Sequence, residues 1–418
     1  MHNTDPTKKV VLYHPVPPLR SRAGSNPRPS ANGKGLGVVT ANSSKRHKFY
    51  LAAIELLILW YVGVVHAGDI NFEVNTTASY DSNIHRATTA PKEDTYFTLA
   101  PRAILKLPFD KVYFGSDIRV AMEQHVSETN ANLQELVFSG LGRYNPSDYM
   151  SFGLRDELVV SGRSKSVEKL ADATRSRKFV DNRLLSGVKH ELKGGTLVTS
   201  LEYTSIIRNY RYTERDDWVS HSGQLSVEYF IGHRTSSQMV FGLRRKLYEV
   251  DVDYISVPIA IMLKRELSSK LDTKLSLGIE SRRYNGVHQD RDSDKPSVSL
   301  DIVGRFTPKT SSRLLLQRRV YDSDIATGYA FVSTAADVAL ALSPSDAAEL
   351  TVQGLYSRNS YIQTRGTDNV FGGRGTVRHS LSRWGAVLFS YGYEGRISSV
   401  PDNDYQQHVI ELSYIVLF

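Results

Sequence analysis

Gln407 to Phe418 reads QHVIELSYIVLF. Ile410, Leu412, Tyr414, Val416 and Phe418 occupy every second position, with Val409, Glu411, Ser413, Ile415 and Leu417 between them. A period of two marks a strand with one consistently apolar face. The strand runs to the final residue, a bare aromatic, where chain ends ordinarily fray. Two settings accommodate it: an ordinary buried terminal strand, or the closing strand of a barrel whose outer face meets lipid. The rest of the chain separates them.

Working back from that strand, the same alternation recurs. Leu275, Leu277 and Ile279 alternate with Lys274, Ser276, Gly278 and Glu280, and Val387, Phe389, Tyr391 and Tyr393 alternate with Leu388, Ser390, Gly392 and Glu394. From Asp69 onward, eighteen such segments are expected, from 69–80 to 406–418. The weaker segments 179–191 and 312–321 leave sixteen as the alternative. Connections alternate in length. Tight ones such as Pro108-Phe109-Asp110, Asn145-Pro146-Ser147-Asp148, Lys193-Gly194-Gly195 and Pro344-Ser345-Asp346 carry turn chemistry. Long ones include Asp81 to Asp94, Ser161 to Lys178 and Asp322 to Gly328. Glu249 to Asp251 breaks the rule, being short where a long loop is due. The alternation sorts tight turns to one end and long loops to the other, which a soluble sandwich has no reason to do. Strands with one apolar face cannot stay open in a bilayer, because unpaired edge groups find no water there. The expected fold is therefore all-β: a closed antiparallel transmembrane β-barrel over residues 68–418, in the bacterial outer membrane, with outer-membrane lipid as its surroundings.

Composition agrees. The chain of 418 residues has no cysteine, which excludes a disulfide scaffold and Cys-based metal sites. The formal charge of +8 invites a nucleic-acid reading, but nine of the 52 Lys and Arg lie in residues 1–67 against Asp5 and Glu55. The remainder is nearly neutral, so no nucleic-acid partner is expected. Residues 1–44 are polar and aperiodic and read as a disordered extension, or as lying before a true start near Val38 or Val39. Lys45, Arg46 and Lys48 precede an apolar run, Phe49 to Val65, ending in Val65-His66-Ala67. Residues 45–67 are expected to be a secretory signal peptide cleaved after Ala67, despite Glu55 within the run.

Assigning polar alternates to the inside places Arg102, Arg119, Arg155, Arg208, Arg244, Arg282, Arg305, Arg319, Arg374, Arg378 and Arg396 along a wet lumen. Among the acids it assigns there are Asp117, Glu135, Glu280, Asp301 and Glu411. Arginine forks hold carboxylate or phosphate in two-point contact, so a basic excess favours an anionic solute. Equally, inward Arg and Glu can pair across the wall and fill the barrel. No phosphate-cradling Gly loop, HExxH or GxSxG occurs. No enzyme activity, cofactor or metal is expected. His408 with Ser390 is the one pair conceivable for a barrel hydrolase, and Asp290, Asp292 and Asp294 form a loop cluster without an EF-hand's Gly or closing Glu.

Residues 79–86, Ser-Tyr-Asp-Ser-Asn-Ile-His-Arg, close the first strand. Tyr80, Asp81, Ser82 and Asn83 resemble the element that follows the first strand in the putative beta-barrel porin 2 family, with His85 where Phe or Tyr is commoner. The body from about Asp69 to Phe418 is similar to that family in layout. The resemblance implies an outer-membrane conduit for export of a secreted exopolysaccharide, as in the alginate export porin, with periplasmic export components as partners. The terminal aromatic, with Tyr414 and Phe418, resembles the signal read by the barrel assembly machinery. A general diffusion porin for small solutes, a barrel enzyme and a surface-loop adhesin are the alternatives. Physically, Tyr80, Asp81 and Asn83 suit an Asx-type turn or a loop contact.

Overall fold

The computed structural model describes residues 69–418 apart from 130–131, 162–177, 193, 212–216, 250–251, 286–291, 323–329, 363–365 and 400–402. The expected extension and signal peptide, and Asp290, lie outside the described residues.

Eighteen strands follow one another: β1 (Asp69–Asp81), β2 (Asp94–Pro108), β3 (Val112–His125), β4 (Leu133–Ser147), β5 (Met150–Ser161), β6 (Lys178–Leu192), β7 (Leu197–Arg211), β8 (Trp218–Gly232), β9 (Thr235–Tyr248), β10 (Tyr254–Ser268), β11 (Leu271–Tyr284), β12 (Ser293–Thr307), β13 (Thr310–Asp322), β14 (Ala330–Ser345), β15 (Ala348–Tyr361), β16 (Thr367–Ser382), β17 (Gly385–Ser398) and β18 (Tyr405–Leu417). Each pairs antiparallel with its sequence neighbours, and β1 pairs with β18 from Glu73↔Leu417 to Asp81↔Val409, closing the sheet. The two ambiguous segments are β6 and β13, so the count is eighteen rather than sixteen. The exceptional connection is also resolved. β9 stops at Tyr248 and β10 starts at Tyr254, so five positions rather than three separate the two strands, at the long-loop end. There the Tyr248 amide donates to Asp253 Oδ1.

Alternation is carried through the wall. Phe241, Leu277, Ile261 and Leu412 point outward with 53–55% exposure, too much apolar surface for water and normal against lipid. On β10 this outward row runs from Ile255 to Leu263. At strand rise and barrel tilt it is about 20 Å tall, close to the height of a lipid-facing band. Aromatic side chains flank the band: Phe114, Tyr144, Tyr229, Trp384 and Tyr414 toward the tight turns and Tyr356 toward the long loops, with Tyr203 and Tyr391 near mid-strand. Strand pairing slips by a residue near the tight turns of β4–β5, β8–β9, β10–β11, β12–β13, β14–β15 and β16–β17. Such bulges twist the rim and help the sheet close.

Eighteen strands at ordinary spacing and tilt give a backbone radius of about 18 Å. Side chains must fill or line that space. One position shows how closely the staves approach: a Cβ on Gly278, midway along β11, would lie 2.5 Å from the Ile259 carbonyl oxygen of β10.

Candidate functional site

The inner surface is the candidate site, because the fold concentrates its charged side chains there. Cross-strand register pairs inward positions with inward positions, so oppositely charged residues on neighbouring strands meet. All eleven sequence-assigned arginines lie on strands; Arg305, Arg374 and Arg396, for example, stand between glycines or lipid-exposed hydrophobics, and by alternation Arg319 lies on one face with Arg313 and Gln317.

Most of them are paired. Arg102 grips Asp117 through two bonds of 2.9 and 2.5 Å, with Glu73 3.7 Å away. Arg119 reaches Glu135 at 2.5 Å, and Arg155 reaches Glu157 at 3.4 Å. Arg305 pairs with Asp272, and Arg374 with Glu411, which also accepts from the Ser390 hydroxyl at 2.8 Å. Arg208 holds Asp181 at 2.6 Å between the rings of Phe179 and Trp218. Arg396 holds Asp368 at 2.5 Å, both side chains 1% exposed. Arg244, Arg319 and Arg378 have no acidic side chain within ion-pair distance among the described residues.

The tightest assembly stands at the long-loop end of β9–β13. Asp322 accepts from Lys246 Nζ at 2.7 Å, Arg282 Nη1 at 2.7 Å and the Tyr254 hydroxyl at 2.9 Å. Arg282 also donates to Glu280 at 2.8 Å, and Glu280 accepts from Ser256. Lys246 lies 4.1 Å from the centre of the Trp218 ring, a cation–π contact strengthened by burial. A half-buried carboxylate keeps its charge in such charge and hydrogen-bond company. Sequence reading missed Asp322, Lys246 and Tyr254 as a unit. Asp322 looks like a loop residue, and its partners lie 40 to 76 positions away. Inward acids at or near strand ends, including Asp81, Asp94, Asp322 and Asp368, offset the basic excess that alternation alone suggests.

Toward β14–β18 the inner surface keeps an open recess of about 400 Å³, lined by Asp337, Gln353, Arg374, Glu394, Gln407 and Glu411 among others. It is polar and carries both signs of charge.

The Tyr80-Asp81-Ser82-Asn83 element is a clasp on the barrel seam. The Asn83 amide donates to Asp81 Oδ1 at 2.8 Å, the Asx turn expected. The Asn83 side chain donates to the Ala87 and Gln406 carbonyls, both at 2.9 Å. Gln407 Nε2 donates to Asp81 Oδ2 at 2.6 Å, and Ser82 exchanges bonds with the His408 backbone. Tyr80 points outward and donates to Glu93 at 2.6 Å. The first loop is tied to the next long loop through Glu128, which accepts from Lys92 at 2.9 Å and lies 3.3 Å from His85. Lys92 and then His85 hold the Glu128 carboxyl below the usual carboxylate range.

Tyr414 and Phe418 both face outward at the tight-turn end, 46% and 67% exposed, and Phe418 exchanges backbone bonds with Phe72. His408 faces lipid, where Tyr391 donates to or accepts from its Nδ1 at 2.8 Å, while Ser390 faces the lumen. The two sit on opposite sides of the wall and cannot act together. Asp292 accepts from the Tyr284 amide and Asp294 pairs with Arg283. Among the described residues no group of His, Asp or Glu is arranged to hold a metal.

Residues 296–417 match the putative beta-barrel porin 2 family. No curated protein matches the chain in sequence. The fold is similar to Pseudomonas aeruginosa OccK2 (OpdF), with a TM-score of 0.51 at 11% identity over 84% of this chain and 98% of that one; that protein has also been solved in complex with glucuronate. A BenF-like porin from Pseudomonas fluorescens Pf-5 gives 0.51 at 12% identity, over 84% and 99% of the chains. At such identities the likeness is one of fold. The chain is a porin-like β-barrel of the bacterial outer membrane.

Proposed function

We propose that the barrel is a passive channel for small hydrophilic solutes, without enzyme activity, and that it passes carboxylate-bearing ones more readily than cations. The observation that carries this is the state of the inner arginines. Most are neutralised by acids on the same or nearby strands and act as wall, while Arg244 and Arg319 face the lumen with no acidic side chain within ion-pair distance among the described residues. A guanidinium in a wet, low-dielectric-walled passage attracts anions without binding them tightly, which is what conduction needs. OccK2 with its bound glucuronate makes a sugar carboxylate a sensible probe. The porin neighbours favour this reading over export of an exopolysaccharide, which rests on the family resemblance alone. Recognition of Tyr414 and Phe418 by an assembly machinery belongs to the same proposal.

The test is ion selectivity in planar bilayers. Wild-type barrel in a KCl gradient should give a reversal potential on the anion-selective side, with conductance reduced by glucuronate. Arg244→Gln with Arg319→Gln should lower the anion-to-cation permeability ratio by about fivefold, the effect of a unit charge a few ångströms away in water. A channel that does not conduct, or a ratio the substitutions leave in place, would remove the proposal.

A further inference from the structure

The outward face also carries arginines, and among the described strand residues they lie on one stretch of wall. Arg245, Arg283, Arg318 and Arg358 lie on β9, β11, β13 and β15, every second strand, at the long-loop end. Register arranges them in two rows. His221, Arg245, Ile255 and Arg283 stand opposite one another across β8 to β11. Val298, Arg318, Thr334, Arg358 and Asn369 do so across β12 to β16. All four arginines share a face with lipid-exposed side chains: Leu243, Ile279, Leu316 and Tyr356 precede them on that face. All four are themselves exposed.

Their depth follows from the same register. Arg245 and Arg283 flank Ile255, the last outward apolar residue of β10, so they mark the upper edge of the hydrocarbon band. Tyr356, one outward step below Arg358, donates to Asn369 at 3.0 Å and belongs to the aromatic girdle at that level. Guanidinium groups at this height sit among lipid headgroups rather than in acyl chains or bulk water.

The protein neutralises only Arg283 among these four with carboxylates of the described residues. Arg283 has Asp294 at 2.9 Å and Asp292 at 3.9 Å. Among the described residues, Arg318 donates to the Thr334 hydroxyl, at 3.1 Å, and to no carboxylate. No acidic side chain among the described residues stands within ion-pair distance of Arg245, Arg318 or Arg358. Elsewhere on the outward face of the outer half, Asp156 of β5 bonds to Asn182 and has no cation within ion-pair distance among the described residues. A cation held at a membrane interface without a protein counter-charge takes one from the lipid. Arginines two strands apart are about 10 Å from each other, near enough to share one headgroup bearing two phosphates, and Arg binds phosphate by a two-point fork.

We infer that the outer rim of the β9–β15 wall, through Arg245, Arg318 and Arg358 with Arg283 beside them, binds the phosphate groups of an outer-leaflet glycolipid. The bound lipid orients this side of the barrel in the membrane and makes it the wall that other strands of the sheet do not duplicate.

The probe is lipid A in mixed detergent micelles, offered to the purified full barrel with its phosphates, after dephosphorylation, or replaced by phosphatidylglycerol, with bound lipid read by native mass spectrometry. Phosphorylated lipid A should be retained, and the dephosphorylated form and phosphatidylglycerol released. The variant Arg245→Gln/Arg318→Gln/Arg358→Gln should weaken retention by roughly a hundredfold, the loss expected from three cations at an anionic lipid surface. Arg265→Gln, outward on β10 at the tight-turn end, should not. Equal retention of phosphorylated and dephosphorylated lipid A by the unaltered barrel overturns the inference without any variant having to fold. So does equal retention of phosphatidylglycerol, which reduces the site to a generic anionic attraction, or a triple variant with wild-type retention and wild-type heat-modifiable mobility.

Discussion

Asp322→Asn removes one negative charge from the point where three donors of three different strands converge, and the structure sets the size of the effect. Lys246 and Arg282 each lie 2.7 Å from the carboxylate and Tyr254 donates to it at 2.9 Å. Breaking a buried ion pair from one side costs about 3–5 kcal/mol. Three features reduce that here. Arg282 keeps Glu280 at 2.8 Å. The Asp322 side chain is 24% exposed, so water can approach. Asparagine still accepts one hydrogen bond. The expected loss is therefore about 2–3 kcal/mol, borne mostly by Lys246, whose side chain is 7% exposed and which has no second carboxylate among the described residues. Trp218, 4.1 Å from Lys246 Nζ, is a built-in reporter. Urea unfolding from lipid vesicles, followed by tryptophan emission, should give a lower midpoint and an altered folded-state spectrum. Adding Lys246→Met removes the stranded ammonium and should recover part of the loss, a coupling that a double-mutant cycle measures. A loss below about 0.5 kcal/mol, within the range of ordinary surface substitutions, would refute the reasoning. Strictly additive losses from the two substitutions would refute it as well.

Three further outcomes follow from particular contacts. Gly278→Ala places a methyl group 2.5 Å from the Ile259 carbonyl and should cost about 1–3 kcal/mol; Gly354→Ala, with open space around its Cβ, should unfold like wild type in the same heat-modifiability assay. Asn83→Ala removes side-chain bonds to Ala87 and Gln406, worth about 1–3 kcal/mol together, and should lower the temperature at which folded gel mobility is lost. Glu128 has its carboxyl lowered by Lys92 and His85, so the loop clasp it makes is fully present above the ordinary carboxylate range and is lost as pH falls through the lowered folded value. A spin label on Thr129→Cys should stay immobile as pH falls through the ordinary carboxylate range and loosen only below it; release within that range would contradict the assignment.

How much of this was legible in the chain depended on the range of the interaction. Period-two alternation and tight-turn chemistry are local, so the strand around Leu275–Ile279 and the hairpin at Pro108-Phe109-Asp110 could be read directly. Pairing also follows, because each strand bonds its sequence neighbour. Side-chain partners did not follow. Arg374 and Glu411 are 37 residues apart and two strands distant, and Lys246 and Asp322 are 76 apart. Such contacts depend on strand tilt and on how far a long side chain leans across the intervening stave. Asp81, Asp94 and Asp322 sit where alternation ends, so a face-by-face reading places them in loops and overstates the basic excess of the lumen. The outward arginines were passed over for the opposite reason. Scattered among apolar residues, they look like lapses in the pattern until register sets them in rows.

Every joint in this wall but one links segments that leave the chain next to each other. The exception, where Glu73 to Asp81 meets Val409 to Leu417, unites residues more than 300 positions apart and has no turn to hold its edges in place. Assembly can therefore proceed hairpin by hairpin, but the cylinder exists only after that last joint engages. Until then two raw edges, each with unmet amide and carbonyl groups, border the membrane. Asp81, Ser82 and Asn83, bonded to Gln406, Gln407 and His408 across that joint, act as a latch at its outer end. A barrel whose latch is defective should be caught half-made, as an open sheet, rather than as a finished cylinder that later comes apart.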